Sequence, residues 1–560
     1  MKSIQSMPRR MRLPLAVLAA LVLASTTAAA VQASGSARPA ADQVACAAGT
    51  TVSTASGPVC GITVSGVDEW LGIPYAAPPV GALRWHSPEP PAPWTTTLQA
   101  TAYGDECSQP VTNTGPPAPG SSENCLFVNV WAPAGGGSNL PVMVHIHGGG
   151  FFHGSGASDN TLLATTGHEV IVSMNYRLGI FGFLADSAFG AHSGDYGLQD
   201  QQAALRWVRR NIAAFGGDPH NVTIFGESAG GSSVCDQIAS PTAAGLFQKA
   251  ISTSGEYNTL LGTKEPPRPG GSEDLEAQDC KSALPAQAQA NAAGARFAAA
   301  VGCGPGTGGV ATCLENVSTD AVTAAEDTGG DGYFYGGQGT IAPTINGTTL
   351  PRTLRQALRT GHVNRVRVIA GTDRDENLIG DPTTPAEYAQ VVSQEFGKFA
   401  PQVMARYPLS RFDSPYTAWR TVAADSGTVC QSIITDQDLA RWMPVYGYLI
   451  TDNDIPPYAA TGSVSSPAGA SHVGAWYLNP VTPALDANQQ ALQDQEVAEV
   501  TTFARTGNPT ATGSPVWLSF NRSGEEMELA PAGDSQMMPI SQIEANHNCG
   551  FWSQIAHAAH

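Results

Sequence analysis

Short runs of β-branched and aromatic residues alternate along the chain with stretches that have helical spacing. The runs that predict buried strands are residues 126–131, 140–147, 169–176, 222–225, 248–252, 366–371 and 444–451. Helices are predicted at residues 197–215, from residue 229 onward, and at 285–301, 351–360 and 489–505. Strands that alternate with helices are typical of βαβ units. The pattern therefore predicts an α/β fold with a large, mostly parallel central sheet flanked by helices.

Three regions depart from this alternation. Residues 67–94 are rich in proline, which excludes helix, and we expect this stretch to lie extended over the surface. Residues 385–442 predict three helical segments without strands between them. We interpret these segments as a helical cap packed over the sheet. The end of the chain, from His547 onward, has the composition of a polar tail with little rigid structure.

The first residues have the pattern of a secretory signal. A basic region with Lys2 and Arg12 precedes an apolar run over residues 13–24, and small residues at 28–34 offer cleavage sites. The apolar run is shorter than the roughly 20 residues that span a bilayer. We therefore predict a signal peptide at 1–33, cleaved near residues 28–34, a flexible leader at 34–45, and one secreted domain at 46–560 without stable membrane insertion.

Charge and cysteine content narrow the function. The formal net charge of −19 disfavours nucleic acid and anionic membranes as partners. An even number of cysteines in an exported chain predicts disulfides, and the absence of C-x-x-C spacing argues against a metal site. Short loops favour the pairs Cys46–Cys60, Cys107–Cys125 and Cys303–Cys313. Spacing does not decide how Cys235, Cys280, Cys430 and Cys549 pair.

Residues 226–230 read Gly-Glu-Ser-Ala-Gly between a predicted strand and a predicted helix. In the G-x-S-x-G pattern the serine occupies a strained strand-to-helix turn that exposes its hydroxyl, and the flanking glycines avoid clashes in that turn. The context predicts that Ser228 is a nucleophile. Upstream, residues 147–150 read His-Gly-Gly-Gly directly after a predicted strand. This motif supplies an N–H group to the oxyanion hole of such enzymes.

A serine nucleophile needs a base and an acid, which follow it in the chain in the order Ser, Asp or Glu, His. His472 lies in a loop of small residues after a predicted strand, where such sheets place chemistry, whereas His362 lies at a helix end and His547 in the polar tail. His472 is therefore the favoured base. Asp373, Asp375 and Glu376 all follow the strand at 366–371, and spacing leaves the acid open among them.

The sequence resembles those of a family, the type-B carboxylesterases, which include cholinesterases and fungal lipases. The matching stretches extend over nearly the whole mature length. They are GIPYAAPPVGALRW (72–85), SENCLFVNVWAP (122–133), HGGGF (147–151), NYRLGIFGFL (175–184), DYGLQDQQAALRWVRRNIAAFGGDP (195–219), GESAGG (226–231), GTDRDE (371–376) and FARTGNP (503–509).

The resemblance implies an α/β-hydrolase fold and hydrolysis of small carboxylic esters through an acyl-enzyme, without a cofactor. Carried over by position, Ser228 is the nucleophile, His472 the general base and Glu376 the orienting acid. The oxyanion hole is formed by the N–H groups of Gly149, Gly150 and Ala229. The family's disulfides match Cys107–Cys125, Cys303–Cys313 and Cys430–Cys549, and leave Cys235 and Cys280 unassigned.

Two departures from the family are relevant to function. The family usually has an acidic residue three positions after its catalytic histidine, and Ala475 stands there. Cholinesterases carry a tryptophan in the first disulfide loop, and the corresponding residues 108–124 contain none, which argues against a choline substrate. Two alternatives remain: a catalytically inactive adhesion or binding protein of this fold and, among the enzymes, a triacylglycerol lipase.

Overall fold

The computed structural model describes residues 44–110, 117–255, 280, 284–306, 308–327, 343–376, 382–452 and 485–559. The predicted signal peptide and nearly all of the leader lie outside these residues. The strands are β1 (Val52–Ser53), β2 (Pro58–Cys60), β3 (Ile62–Val64), β4 (Val67–Pro74), β5 (Leu98–Gln99), β6 (Glu106–Cys107), β7 (Ser121–Ser122), β8 (Phe127–Pro133), β9 (Leu140–Ile146), β10 (Val170–Met174), β11 (Gly217–Glu227), β12 (Lys249–Thr253), β13 (Arg367–Asp373), β14 (Val445–Ile450), β15 (Glu525–Leu529) and β16 (Gln536–Pro539).

The α-helices follow the strands in the alternation that the sequence predicts. They are α1 (Thr161–Gly167), α2 (Gly179–Phe183), α3 (Tyr196–Asn211), α4 (Ala229–Ala239), α5 (Gln287–Ala300), α6 (Val310–Glu315), α7 (Thr319–Asp327), α8 (Leu354–Thr360), α9 (Pro385–Phe396), α10 (Ala400–Arg406), α11 (Pro415–Ala424), α12 (Cys430–Leu439), α13 (Ala487–Thr506), α14 (Phe520–Ser523), α15 (Ile540–Asn546) and α16 (Cys549–Ala559).

Eleven strands of the described chain form one mixed sheet in the order β16-β15-β14-β13-β12-β11-β9-β10-β8-β4-β3. The seven strands from β15 to β10 run parallel, and antiparallel strands complete both edges. The carboxyl ends of all seven parallel strands therefore meet at one edge, where such sheets hold their chemistry. The predicted α/β fold is confirmed.

Alternate residues of the strands face two separate hydrophobic cores, because successive side chains of a strand point to opposite faces. Val142 and Val144 of β9 lie in the core that includes residues of α3, α4 and α8, and Met143 between them lies in the core with residues of α1 and α13. Both faces of the sheet are thus covered by helices. This burial explains why the central strands read as continuous apolar runs.

Two expectations for the middle and the start of the chain need correction. Residues 67–74 do not lie over the surface, since they form β4, a strand of the sheet in which Trp70 and Ile73 are buried. The register of β4 shifts between these two residues, and this irregularity weakens the strand pattern in the sequence. Residues 385–442 contain four α-helices rather than three, because a π-helical turn at Asp425–Val429 separates α11 from α12.

The prediction of a polar, loosely held tail from His547 onward is wrong. Residues 525–559 form β15, β16, α15 and α16, and Trp552 and Ile555 share a core with helices α9 to α11. His547 is buried, and its Nδ1 lies 2.5 Å from Asp425 Oδ1. The local polarity of this segment reflects a buried polar network and not exposure to solvent.

Five disulfides link all ten cysteines. The predicted pairs Cys46–Cys60, Cys107–Cys125, Cys303–Cys313 and Cys430–Cys549 are present. The two cysteines that the sequence leaves unassigned, Cys235 in α4 and Cys280, form the fifth disulfide. Disulfides of this number are compatible with an exported protein. None of the helices in the described ranges has the length and apolar character needed to cross a membrane.

Candidate active site

Ser228 stands at the junction between β11 and α4. It is the N-cap of α4 and has φ 55° and ψ −125°, a backbone conformation that non-glycine residues rarely adopt. Its N–H donates to Thr253 O at 3.0 Å and its carbonyl oxygen accepts from Ser232 N–H at 2.8 Å. These bonds to β12 and to α4 hold the strained turn. This is the strand-to-helix turn that the G-x-S-x-G pattern predicts.

The glycines that flank Ser228 are required by close packing. A Cβ on Gly230 would lie 2.1 Å from Ile146 O, and one on Gly226 would lie 2.6 Å from the same oxygen. Non-bonded heavy atoms do not approach so closely, so no larger residue fits without moving the backbone. The pattern is therefore a steric requirement of packing the turn against the end of β9.

The glycine turn at 148–150 follows β9, the strand next to β11. Gly149, Gly150 and Phe151 have φ values of 100°, 65° and 65°. A Cβ on Gly148 would lie 3.3 Å from Ser228 Cβ, so the turn is adjacent to the serine. Among the described residues, no hydrogen bond uses the N–H of Gly149, Gly150 or Ala229. The three predicted oxyanion donors are thus unpaired within the part of the chain that the structure describes.

His147 supports the glycine turn as a neutral residue. Burial lowers the pKa of its imidazole to about 3, and its ring stacks on Tyr176 with centroids 4.3 Å apart. Its Nδ1 lies 2.9 Å from Gly148 O. Because a carbonyl oxygen only accepts hydrogen bonds, Nδ1 carries the proton. Tyr176 Oη in turn donates to His147 O at 2.8 Å.

Glu376 follows β13, two strands away from Ser228. It is buried, and its Oε2 accepts a hydrogen bond from Thr372 Oγ1 at 2.7 Å. Ser254, at the end of the intervening strand β12, has φ 46° and donates its N–H to Gly371 O at 2.8 Å. The carboxyl ends of β9, β11, β12 and β13 therefore bring the glycine turn, Ser228 and Glu376 to one edge of the sheet.

The two rival acids have different surroundings. The carboxylate of Asp375 is partly exposed and accepts from its neighbour Arg374, with Nε 2.7 Å from Oδ2. Asp373 is buried, and neither of its carboxylate oxygens has a hydrogen-bond partner in the described chain. Its pKa is raised well above the ordinary value by burial and by the neighbouring carboxylates of Glu376 and Glu227.

Sequence reasoning missed Glu227, the variable residue of the G-x-S-x-G pattern. Burial, with a smaller contribution from the charge of Glu376, raises the pKa of Glu227 to about 8. Thr372, which donates to Glu376, was missed as well. The only hint of Thr372 in the sequence is the alternation along β13, which places its side chain on the face of the sheet opposite to that of Asp373.

The predicted base, His472, and Ala475 lie outside the described residues, so the geometry of the base stays a prediction. The rival His547 belongs to the network with Asp425 near the C-terminus. The described residues contain no group of three or more His, Cys, Asp or Glu side chains that could hold a metal ion.

Comparison with known proteins identifies the family to which this fold and site belong. The model of the carboxylesterase family matches residues 48–552. The chain belongs to the carboxylesterase family. The predictions of the family and of a carboxylic ester hydrolase are thereby confirmed.

Individual members of the family are similar over most of their length. Para-nitrobenzyl esterase of Bacillus subtilis (strain 168) is 35% identical over 501 residues, which cover 85% of this chain and 93% of that protein. Acetylcholinesterase of Bungarus fasciatus is 28% identical over 553 residues, covering 90% and 86%. A solved structure of PNB esterase superposes with a TM-score of 0.71 and 30% identity, over 89% of this chain and 99% of that one.

Proposed function

We propose that the protein is a secreted serine carboxylesterase that hydrolyses small carboxylic esters through an acyl-enzyme on Ser228. The observation that carries the proposal is the strained turn at Ser228, with φ 55° and ψ −125°, beside a glycine turn with available N–H groups. Strain of this kind persists where the surrounding structure enforces it, commonly at functional sites. Similarity to para-nitrobenzyl esterase over 85% of the chain supports an ester substrate.

The reaction has two halves. Ser228 Oγ attacks the ester carbonyl while His472 accepts its proton and Glu376 stabilises the resulting imidazolium. The N–H groups of Gly149, Gly150 and Ala229 bind the oxyanion of the tetrahedral intermediate, and the alcohol leaves with the proton from His472. Water then attacks the acyl-enzyme by the same route and releases the acid and free Ser228.

The environment of Glu376 favours it over the two aspartates as the orienting acid. Glu376 is buried and held by Thr372, whereas Asp375 pairs with Arg374 near the surface. Asp373 is buried as well, but no hydrogen bond from a described residue orients its carboxyl group. A buried carboxylate at the end of β13 can stabilise an imidazolium more strongly than a solvated one. The family's acid is also the glutamate at the last position of this motif.

Export is part of the proposal. The basic and apolar segments at the start of the sequence support a signal peptide at 1–33, and the five disulfides support folding in an oxidising compartment. The leader at 34–45 then precedes a single domain at 46–560.

The first test is the loss of the nucleophile. We expect Ser228→Ala to lower kcat for a p-nitrophenyl ester by roughly 10⁴- to 10⁶-fold, as in other serine hydrolases. Thermal unfolding of the variant serves as its control, because it shows whether the protein is folded without the hydroxyl. A folded Ser228→Ala protein with the kcat of the wild type would refute the proposed function.

A second series tests the acid. We expect Glu376→Gln to reduce kcat by roughly 10³- to 10⁴-fold, because the imidazolium loses its stabilising charge. The matched variants Asp373→Asn and Asp375→Asn each remove a carboxyl group close to Glu376 in the chain and should have far smaller effects on kcat. A larger loss in either aspartate variant than in Glu376→Gln would assign the acid to that aspartate.

A further inference from the structure

A buried glutamine outside the proposed triad connects two loops beside Ser228. Gln109 lies two residues after Cys107, in the loop that the disulfide Cys107–Cys125 closes. Its Nε2 donates to Gly154 O at 3.0 Å, and Gly154 N–H donates to its Oε1 at 2.9 Å. Two hydrogen bonds in opposite directions between one amide and one residue fix both the distance and the orientation of the two loops.

Gly154 packs directly against the start of the glycine turn. A Cβ on Gly154 would lie 2.5 Å from His147 Nδ1 and 2.7 Å from Gly148 O. One residue earlier, His153 N–H donates to Gly149 O at 2.8 Å, and a Cβ on Gly149 would lie 2.3 Å from His153 O. Residues 153 and 154 therefore pack against the glycine turn and hydrogen-bond to it.

Gln109 is itself held in place. Its Nε2 also donates to Cys107 O at 3.1 Å and lies 3.4 Å from Glu106 Oε2. The other oxygen of Glu106 accepts from Ser155 Oγ at 3.1 Å, so the two loops have a second connection. The disulfide Cys107–Cys125 anchors the loop that carries these residues. The amide is thus a rigid link and not a surface side chain that happens to touch the loop.

The glycine turn depends on such external support because it has little of its own. Three successive residues, Gly149, Gly150 and Phe151, have positive φ values, and two of them have no side chain to pack. Glycine loses more conformational freedom on ordering than any other residue. Hydrogen bonds from neighbouring loops must therefore keep the turn in one conformation.

We propose that Gln109 is a positioning residue of the esterase reaction, which holds Gly154 and thereby keeps the N–H groups of Gly149 and Gly150 directed at the oxyanion. The inference rests on the proposed function, because it concerns the oxyanion hole of that reaction. Gln109 contacts no reacting atom in this role. A misplacement of about 1 Å in a catalytic group can lower a rate by about 100-fold.

The test measures turnover and the affinity for a tetrahedral adduct in Gln109→Ala. With p-nitrophenyl butyrate we expect kcat to fall by roughly 10- to 100-fold with little change in KM, because the oxyanion forms only after binding. Inhibition by an aryl trifluoromethyl ketone, whose adduct with a serine carries an oxyanion, should weaken by a similar factor. A residue that only stabilises the fold would change neither quantity in the folded enzyme.

Asn211 provides a matched control at the opposite edge of the sheet. It is a buried amide that also bonds backbone groups in both directions, since its Oδ1 accepts from Ala55 N–H at 2.7 Å and its Nδ2 donates to Trp207 O at 2.9 Å. We expect Asn211→Ala to lower the thermal midpoint and to leave kcat and ketone affinity unchanged. Gln109→Ala with the kcat and ketone affinity of Asn211→Ala would overturn the proposal.

A second variant covers the case in which Gln109→Ala does not fold. Gln109→Glu keeps the shape of the side chain and the acceptor for Gly154 N–H, but at neutral pH it directs a lone pair at Gly154 O. The same losses in kcat and ketone affinity are expected, and their absence would overturn the proposal. Failure of the proposed function itself would look different, because Ser228→Ala would then retain the wild-type kcat.

Discussion

Buried carboxylates have opposite surroundings in two parts of the molecule. In the scaffold, Asp200 accepts three hydrogen bonds from Arg177. The backbone N–H donates at 3.0 Å, and Nε and Nη2 of the guanidinium each donate at 2.8 Å. At the carboxyl edge of the sheet, both oxygens of Asp373 and Oε1 of Glu227 have no hydrogen-bond partner among the described residues. Both carboxylate oxygens of Asp200 are thus paired, whereas the carboxyl groups of Asp373 and Glu227 beside Ser228 lack such partners in the described part of the chain.

The unpaired carboxyl groups beside Ser228 carry an energetic cost. Burying a carboxyl group without partners favours its neutral form, and this is why the pKa of Glu227 is raised to about 8. Perturbed carboxyl groups of this kind cluster at functional sites more often than elsewhere. Three experiments test the contrast between the paired carboxylate of Asp200 and the unpaired carboxyl groups beside Ser228.

Removing a partner from the scaffold should have the largest effect on stability. Arg177→Ala leaves Asp200 buried without its counter-charge, and we expect the free energy of unfolding to fall by about 3–5 kcal/mol. The measurement is urea denaturation followed by tryptophan fluorescence. A loss near zero would mean that Asp200 is not the satisfied acid that its hydrogen bonds indicate.

Removing the unpaired carboxyl group of Glu227 should instead increase the free energy of unfolding. Below pH 4.5 Glu227 is protonated in the folded and in the unfolded protein. Between pH 4.5 and about 8 the unfolded protein releases this proton, whereas the folded protein retains it. Stability from this residue therefore decreases across that window. One unit of pKa shift corresponds to ~1.4 kcal/mol, so even half of the shift from 4.5 to about 8 would give Glu227→Gln a gain of about 2 kcal/mol at pH 8.5.

The check is a comparison of thermal midpoints of the wild type and Glu227→Gln from pH 5 to pH 8.5, at one scan rate. The difference between the two proteins should grow steadily in favour of the variant as pH rises. A constant difference across the range would show that Glu227 ionises normally in the folded protein.

Removing one hydroxyl group from the polar network near the C-terminus should have the smallest effect on the free energy of unfolding. Tyr407 Oη donates to Asp425 Oδ2 at 2.7 Å and accepts from Trp552 Nε1 at 2.8 Å. His547 continues to bond the other oxygen of Asp425, but Trp552 Nε1–H loses its acceptor, so Tyr407→Phe should cost about 1–2 kcal/mol. Urea denaturation measures this, and an unchanged kcat for an ester substrate would place the network outside the catalytic machinery.

Much of the site was predictable because its motifs are steric requirements. Gly226 and Gly230 must be glycine since each packs against Ile146 O, so the pattern around Ser228 is visible in the sequence. The order of strands and helices was predictable for the same reason, because strands buried on both faces read as continuous apolar runs.

The rest depends on contacts between distant residues. His547 looked like part of a flexible tail because its partner Asp425 lies 122 residues earlier. Cys235 and Cys280 are 45 residues apart, and nothing local relates them. Spacing does not separate the acids at 373, 375 and 376, but the fold does, since Asp375 is partly exposed and, of the two buried acids, Glu376 accepts a hydrogen bond from Thr372 whereas Asp373 has no such partner among the described residues.

The claim that Ser228 is the nucleophile is tested most directly by covalent labelling. The enzyme is treated with a fluorophosphonate ester, its residual activity is followed, and the adduct is located by peptide mass mapping. We predict one adduct per chain, on Ser228, with activity lost in proportion to labelling and no adduct in Ser228→Ala. Loss of activity with Ser228 unlabelled, or full labelling of Ser228 with activity retained, would contradict the account.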